Sequence, residues 1–124
     1  MKEPITSPQA PAAIGPYSAA ITTGSLIFVS GQLPINPATG EMPEGIAAQT
    51  EQSLRNLKAL LEAAGSSVDK VVKTTVFLAD INDFAAMNEV YGQVFTAPFP
   101  TRSAFAVAAL PKGAKVEIEC IALA

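Results

Sequence analysis

The side chains best suited to a reaction include an arginine near the C-terminal end of the chain. Arg102 lies in the sequence Phe-Pro-Thr-Arg-Ser, where a proline-containing loop enters a predicted strand. A guanidinium presents two parallel donors to a carboxylate, and a lysine cannot copy this geometry. The position also fits an exposed arginine at the start of a strand. The pattern therefore leaves open both a clamp for a planar anion and a surface residue.

A glutamate follows inside a strand that otherwise has an apolar sequence. Glu117 lies in the predicted strand Val116 to Leu123, and Glu119 shares its face because side chains alternate along a strand with period two. Such a residue is often paired or at a sheet edge. The alternative is an acid/base carboxylate at a cleft between subunits. The pattern does not choose between the two glutamates.

Other residues could line a site or be purely structural. Gly31 ends a predicted strand, where glycine forms a turn or lets a ligand approach the backbone. Tyr17 fits the core and a pocket wall equally well. Asn88 lies in a predicted helix although asparagine is a mediocre helix former, which indicates a polar contact. Cys120 has apolar neighbours and is predicted to be a buried, inert thiol.

The residue types that are missing exclude several kinds of site. The 124 residues include no histidine and one cysteine, so histidine-dependent nucleophilic sites and zinc sites cannot be built. We therefore predict no metal, and no cofactor motif of the dinucleotide or P-loop kind occurs. The net charge is −3 and there is no cluster of lysine and arginine. This balance argues against nucleic acid or an anionic membrane as a partner.

The same composition indicates where the protein works. One cysteine fits a reducing compartment, and residues 1–13 contain no apolar stretch of signal-peptide length. No apolar run approaches the roughly 18 residues of a membrane span. We expect a cytoplasmic protein.

Periodicity predicts the elements that must position these groups. We expect one α+β domain over residues 1–124, with both helices on one face of a single sheet. A proline-rich extended arm (Pro4 to Pro16) comes first. The predicted elements are strands at Tyr17 to Thr22, Leu26 to Ser30, Val71 to Leu78, Ala104 to Leu110 and Val116 to Leu123, and helices at Ile46 to Ala64 and Asp83 to Phe95.

Two of these strands predict an oligomer. Leu26 to Val29 and Ala104 to Leu110 are apolar on both faces. Two helices can cover only one face of a sheet, so a second copy must cover the other. Ring closure would fit this arrangement, but the pattern does not fix the number of copies.

Several sequence blocks, in order, resemble the reactive intermediate deaminase family, also called YjgF-like. The resemblance extends from about Ala12 to the C-terminus. The blocks are Ala13 to Ser18 (AIGPYS), Val29 to Pro34 (VSGQLP), Asn36 to Glu41 (NPATGE), Lys73 to Phe84 (KTTVFLADINDF), Asn88 to Tyr91 (NEVY) and, within Thr101 to Glu119, TRS followed by ALPKGAKVEIE.

The resemblance implies a chorismate-mutase-like fold and a homotrimer. In this family the sheets of three subunits line a central barrel, and active clefts lie between neighbours. The implied activity is hydrolysis of 2-aminoacrylate, as 2-iminopropanoate, and of 2-iminobutanoate to 2-oxo acids and ammonia, with no cofactor. This activity protects pyridoxal-phosphate enzymes from reactive imines.

The resemblance also implies residue roles. Arg102 would bind the substrate carboxylate and Glu117 would activate water or move protons. The Gly31 backbone would contact substrate or water, and the pocket would be lined by Tyr17, Ser30 and Asn88. Many relatives have cysteine where this chain has Ala104, so a thiol nucleophile is excluded there. The Ala104 carbonyl could still position water.

Two other functions remain open. One is a ribonuclease or translation inhibitor, although the acidic balance opposes it. The other is a non-catalytic module that binds small carboxylates, or a chaperone-like trimer. That module would keep Arg102 but would not need Glu117.

Overall fold

Six strands form one mixed sheet in the computed structural model, which describes residues 1–124. The spatial order of the strands is β1-β2-β3-β6-β4-β5. The strands are β1 (Glu3–Ile5), β2 (Ala20–Thr22), β3 (Leu26–Gln32), β4 (Val71–Leu78), β5 (Thr101–Ala106) and β6 (Val116–Leu123), and the helices are α1 (Ile46–Ala63) and α2 (Phe84–Val94).

Only β4 and β5 are parallel, and α2 connects them. A parallel pair needs a crossover of this kind, whereas antiparallel neighbours can be joined by short turns. The other neighbouring strands are antiparallel.

Both helices pack on one face of the sheet. Alternate residues of β6, from Val116 to Ala122, are buried against α1 and α2 in one apolar core. Four leucines of α1 and two residues of α2 complete that core, namely Leu54, Leu57, Leu60, Leu61, Met87 and Tyr91. The predicted α+β class, with two helices on one face, is confirmed. No helix is long and apolar enough to cross a membrane.

Two elements at the sheet edges differ from the prediction. The third long strand covers Thr101–Ala106 rather than Ala104 to Leu110, because its partner β4 ends at Leu78 and residues beyond Val107 have no strand to pair with. The proline-rich arm also contributes an edge strand, β1. Pro4 is tolerated there because one side of an edge strand has no partner, so the N–H group that proline lacks is not needed on that side.

A bulge also reverses the expected faces at the start of β4. Regular alternation along the strand would place Val72 on the same face as Thr74, but Val71 is buried and Val72 is 40% exposed. The register with β6 shifts between Val71 and Lys73. One extra residue in one strand turns the following side chains to the other face.

The face away from the helices carries large apolar side chains. Phe28, Phe105 and Leu123 are 42%, 45% and 49% exposed. Phe77 and Phe105 pack edge to face there, with ring centroids 5.6 Å apart. We call this surface the open face. It is the apolar second face that the sequence indicates.

Candidate active site

Arg102 lies on β5, on the side of the sheet that α2 covers. Its backbone pairs with Thr74 of β4, and its Nη1 donates a hydrogen bond of 2.7 Å to Asn88 Oδ1 on α2. The guanidinium carbon is 4.7 Å from the Tyr91 ring centroid and 5.4 Å from that of Phe84. Arg102 is therefore the second residue of the strand, and its side chain rests on the helix.

The charge of Arg102 is not neutralised within the chain. The one ion pair in the structure joins Arg55 to Glu51 on α1. The neighbours of Arg102 are an amide and two aromatic rings, which carry no charge. An exposed guanidinium held in this way can accept a planar anion such as a carboxylate.

Glu117 lies on the open face and is in close contact with Gly31. A Cβ placed on Gly31 would be 2.8 Å from Glu117 Oε2 and 2.9 Å from its Cδ. Gly31 is inside β3, at an irregularity where the register with β6 shifts. The absence of a side chain at this position lets the carboxylate lie directly against the backbone of β3.

Partial burial raises the pKa of Glu117, and the nearby negative charge of Glu119 raises it further. Burial disfavours the charged form of a carboxyl group, and a like charge acts in the same direction. A carboxyl group with a raised pKa can accept and return protons closer to neutral pH than an ordinary glutamate can.

A cavity of about 680 Å³ brings four of the predicted residues together, namely Tyr17, Ser30, Gly31 and Glu117. Tyr17 is 54% exposed, so it is a wall of the cavity and not part of the core. Ser30 Oγ donates a 2.7 Å hydrogen bond to Ser18 O, which leaves its lone pairs available. The cavity therefore combines a carboxylate, hydroxyl groups and an apolar wall.

The other predicted residues lie on the opposite face of the sheet. Arg102 pairs with Thr74, and Glu117 pairs with Phe77. Thr74 and Phe77 are three residues apart on β4, so they point to opposite faces. Ala104 shares the face of Arg102. One chain thus holds two half-sites, with Arg102, Asn88 and Ala104 in one and the cavity residues in the other.

Sequence reasoning missed three residues of these half-sites. Phe84 and Tyr91, which contact Arg102, are aromatic residues of the kind that form the core face of a helix, and their types alone indicate no role in a site. The spacing of Phe84, Asn88 and Tyr91 at i, i+4 and i+7 could have identified one helical face. Lys112, which lines the cavity with Pro111, has a φ of 58°. The Pro-Lys-Gly turn signals a tight bend there, but nothing in it points to the cavity.

Comparison with known proteins identifies close relatives. A family model described as Endoribonuclease L-PSP matches residues 7–124. The chain is 53% identical to the 2-iminobutanoate/2-iminopropanoate deaminase of Escherichia coli K12, over 99% of this chain and 98% of that protein. It is 52% identical to the Bos taurus protein of the same name, over 96% and 88%. The crystal structure of E. coli TdcF with bound serine superposes with a TM-score of 0.95, at 50% identity and 98% coverage of both chains.

Proposed function

Because the chain belongs to the endoribonuclease L-PSP family, also known as the YjgF/Rid family, we propose that it hydrolyses short 2-imino acids to 2-oxo acids and ammonia. The observation that carries this proposal is its full-length identity of about one half to proteins named 2-iminobutanoate/2-iminopropanoate deaminase. The predicted resemblance to the family is confirmed. The roles of individual residues are part of the proposal.

Arg102 binds the substrate carboxylate. Its charge is free, its side chain is exposed, and Asn88 takes up only one of its donors. The remaining donors can form a bidentate pair with the carboxylate, and this fixes the plane of the substrate. Holding the substrate in this way presents the imine carbon to water in a constant orientation.

Glu117 moves the protons of the hydrolysis. A water oxygen bonds to the imine carbon, the π electrons of the C=N bond pass to nitrogen, and Glu117 accepts a proton from the water. For the protonated imine, the same carboxyl group returns this proton to the amine nitrogen. It then takes the remaining proton of the added hydroxyl as the C=O bond forms and the C–N bond breaks, and it passes that proton to the departing ammonia, which leaves as ammonium with the 2-oxo acid. Gly31 and Ser30 border this space, and Tyr17 forms its outer wall. Acid/base assistance of this kind contributes about 10²–10⁴-fold.

A complete site requires two copies of the chain. The two half-sites lie on opposite faces of one sheet, so Arg102 of one copy must meet Glu117 of another. The exposed phenylalanines and Leu123 on the open face supply apolar surface for that contact. We infer a homotrimeric ring with clefts between neighbours, as the family resemblance implies.

The experiment generates 2-aminoacrylate with a serine dehydratase in the presence of an imine scavenger and follows pyruvate formation. The wild-type protein should accelerate pyruvate release, and Arg102→Lys should lose most of this acceleration while keeping its fold. Arg55→Lys is the matched control, because Arg55 is paired on the outer surface of α1. If a folded, oligomeric wild-type protein gives no acceleration, the proposed enzymatic activity is refuted and a carboxylate-binding module is favoured.

A further inference from the structure

The guanidinium of Arg102 lies over two aromatic rings of α2. Its central carbon is 4.7 Å from the Tyr91 ring centroid and 5.4 Å from that of Phe84. Both distances are within the range in which the negative face of a ring attracts a cation. Aromatic side chains are common in a core, but here two of them face a charged side chain that reaches solvent.

Burial, an aromatic contact and a hydrogen bond constrain the position of the Tyr91 side chain. It is 5% exposed, its ring packs against Phe95 with centroids 4.6 Å apart, and its hydroxyl bonds to Thr74 Oγ1 at 2.7 Å. Thr74 is fully buried and is the direct strand partner of Arg102. Thr74 thus connects β5, which carries Arg102, to the Tyr91 ring beneath the guanidinium.

This arrangement holds a flexible cation without neutralising it. An arginine side chain has many rotamers, and the single hydrogen bond to Asn88 constrains only one of its nitrogens. Burial raises the pKa of Tyr91, although the Thr74 hydrogen bond and the Arg102 charge oppose the rise. The phenol therefore stays uncharged near neutral pH, and the full charge of Arg102 remains available to a substrate.

We propose that Tyr91, with Phe84 beside it, is a positioning residue that sets the preference of the site for ligands with a carboxylate. The two rings hold the guanidinium against α2, and the donors that Asn88 does not use remain available to an incoming anion. This inference rests on the proposed function, because it takes Arg102 as the carboxylate clamp. It adds a residue that never touches the substrate and acts through Arg102.

The test measures ligand preference rather than turnover. The probes are 2-oxobutanoate, a stable product of the proposed reaction, and its uncharged carboxamide, with dissociation constants from NMR titration. Tyr91→Leu should reduce the preference for the carboxylate by about three- to thirtyfold, which is the range of cation–π strengths expressed as affinity. Tyr91→Phe keeps the ring and should stay within twofold of wild type.

Phe95→Leu is the matched control. Phe95 is as buried as Tyr91 and packs against it, but the guanidinium lies over the rings of Tyr91 and Phe84 and not over that of Phe95. This variant should lose thermal stability and keep the preference. If Tyr91→Leu does not fold, Phe84→Leu applies the same test at a half-buried position.

The proposal is overturned if the ring-removing variants keep the wild-type preference, or if Phe95→Leu loses it equally. It is also overturned if the wild-type protein shows no preference for the carboxylate. A wild-type protein that prefers 2-oxobutanoate but hydrolyses no imine would refute the proposed function alone. Ligand preference therefore tests the role of Tyr91, and imine turnover tests the proposed function.

Discussion

Two inactive variants should restore activity when they share one assembly. Arg102→Ala removes the clamp and Glu117→Gln removes the proton carrier, so each variant alone should be inactive. A cleft built between two chains is complete when one neighbour supplies Arg102 and the other supplies Glu117. In a random equal mixture this occurs at about a quarter of the clefts, whatever the number of copies in the ring.

The assay needs mixed assemblies of known composition. The two variants carry different affinity tags and are unfolded together in equal amounts and refolded. Recovery of doubly tagged assemblies from a sample shows that the chains have mixed, and the whole mixture is assayed. Imine hydrolysis per cleft is then compared with wild type treated in the same way. Mixing the folded variants without refolding provides the background.

A second mixture distinguishes a site shared between two chains from a site within one chain. When wild-type chains are refolded with the double variant Arg102→Ala/Glu117→Gln, clefts shared between chains again leave about a quarter of the activity, whereas sites within one chain would leave about a half. Mixed assemblies of the two single variants that stay inactive would contradict the division of the site between copies. A monomeric, fully active wild-type protein would contradict it as well.

Three further outcomes are expected. Gly31→Ala should lower activity by up to about a hundredfold, because the new Cβ displaces the Glu117 carboxylate, and the melting temperature should change little. Unchanged activity would contradict the requirement for Glu117 in this position. Glu119→Gln should lower the pKa of Glu117, so the loss of activity on acidification should move to lower pH in a pH–rate profile; an unmoved profile would count against Glu117 as the base. Burial raises the pKa of Cys120 to about 12, so only about one thiol in ten thousand is ionised at pH 8, and iodoacetamide should label only unfolded protein; rapid native labelling would argue against that burial.

The sequence predicted the elements whose periodicity is clear. The strands Val71–Leu78 and Val116–Leu123 have the predicted bounds, and α1 differs by one residue. These segments are either rich in β-branched and apolar residues or carry a long helical stripe, so the local pattern is sufficient to define their bounds. The end of β5 depends on its pairing with β4, which the sequence pattern does not reveal. The apolar run after Ala106 has no neighbour beyond the end of β4, and therefore it does not form a strand.

The candidate site was predictable as a set of residues but not as an arrangement. Residue chemistry and the family blocks identify Arg102 and Glu117. Their placement on opposite faces depends on the register of β5 against β4, and one residue of slip would reverse it. The contact between Gly31 and Glu117 depends on the bulge in β3, for which the sequence gives only a glycine near a strand end.

The sheet that separates Arg102 from Glu117 also limits how this protein can be redesigned. Replacing the apolar side chains of the open face with charged ones should yield a soluble, folded single chain, because α1 and α2 cover the core on the other side. That monomer would keep both half-sites and still be inactive. No loop graft within one chain could rejoin the two groups, since the backbone of β4 and β6 stands between them. A smaller, monomeric catalyst would need a second sheet, such as a tandem fusion of two copies, and not a resurfaced single domain.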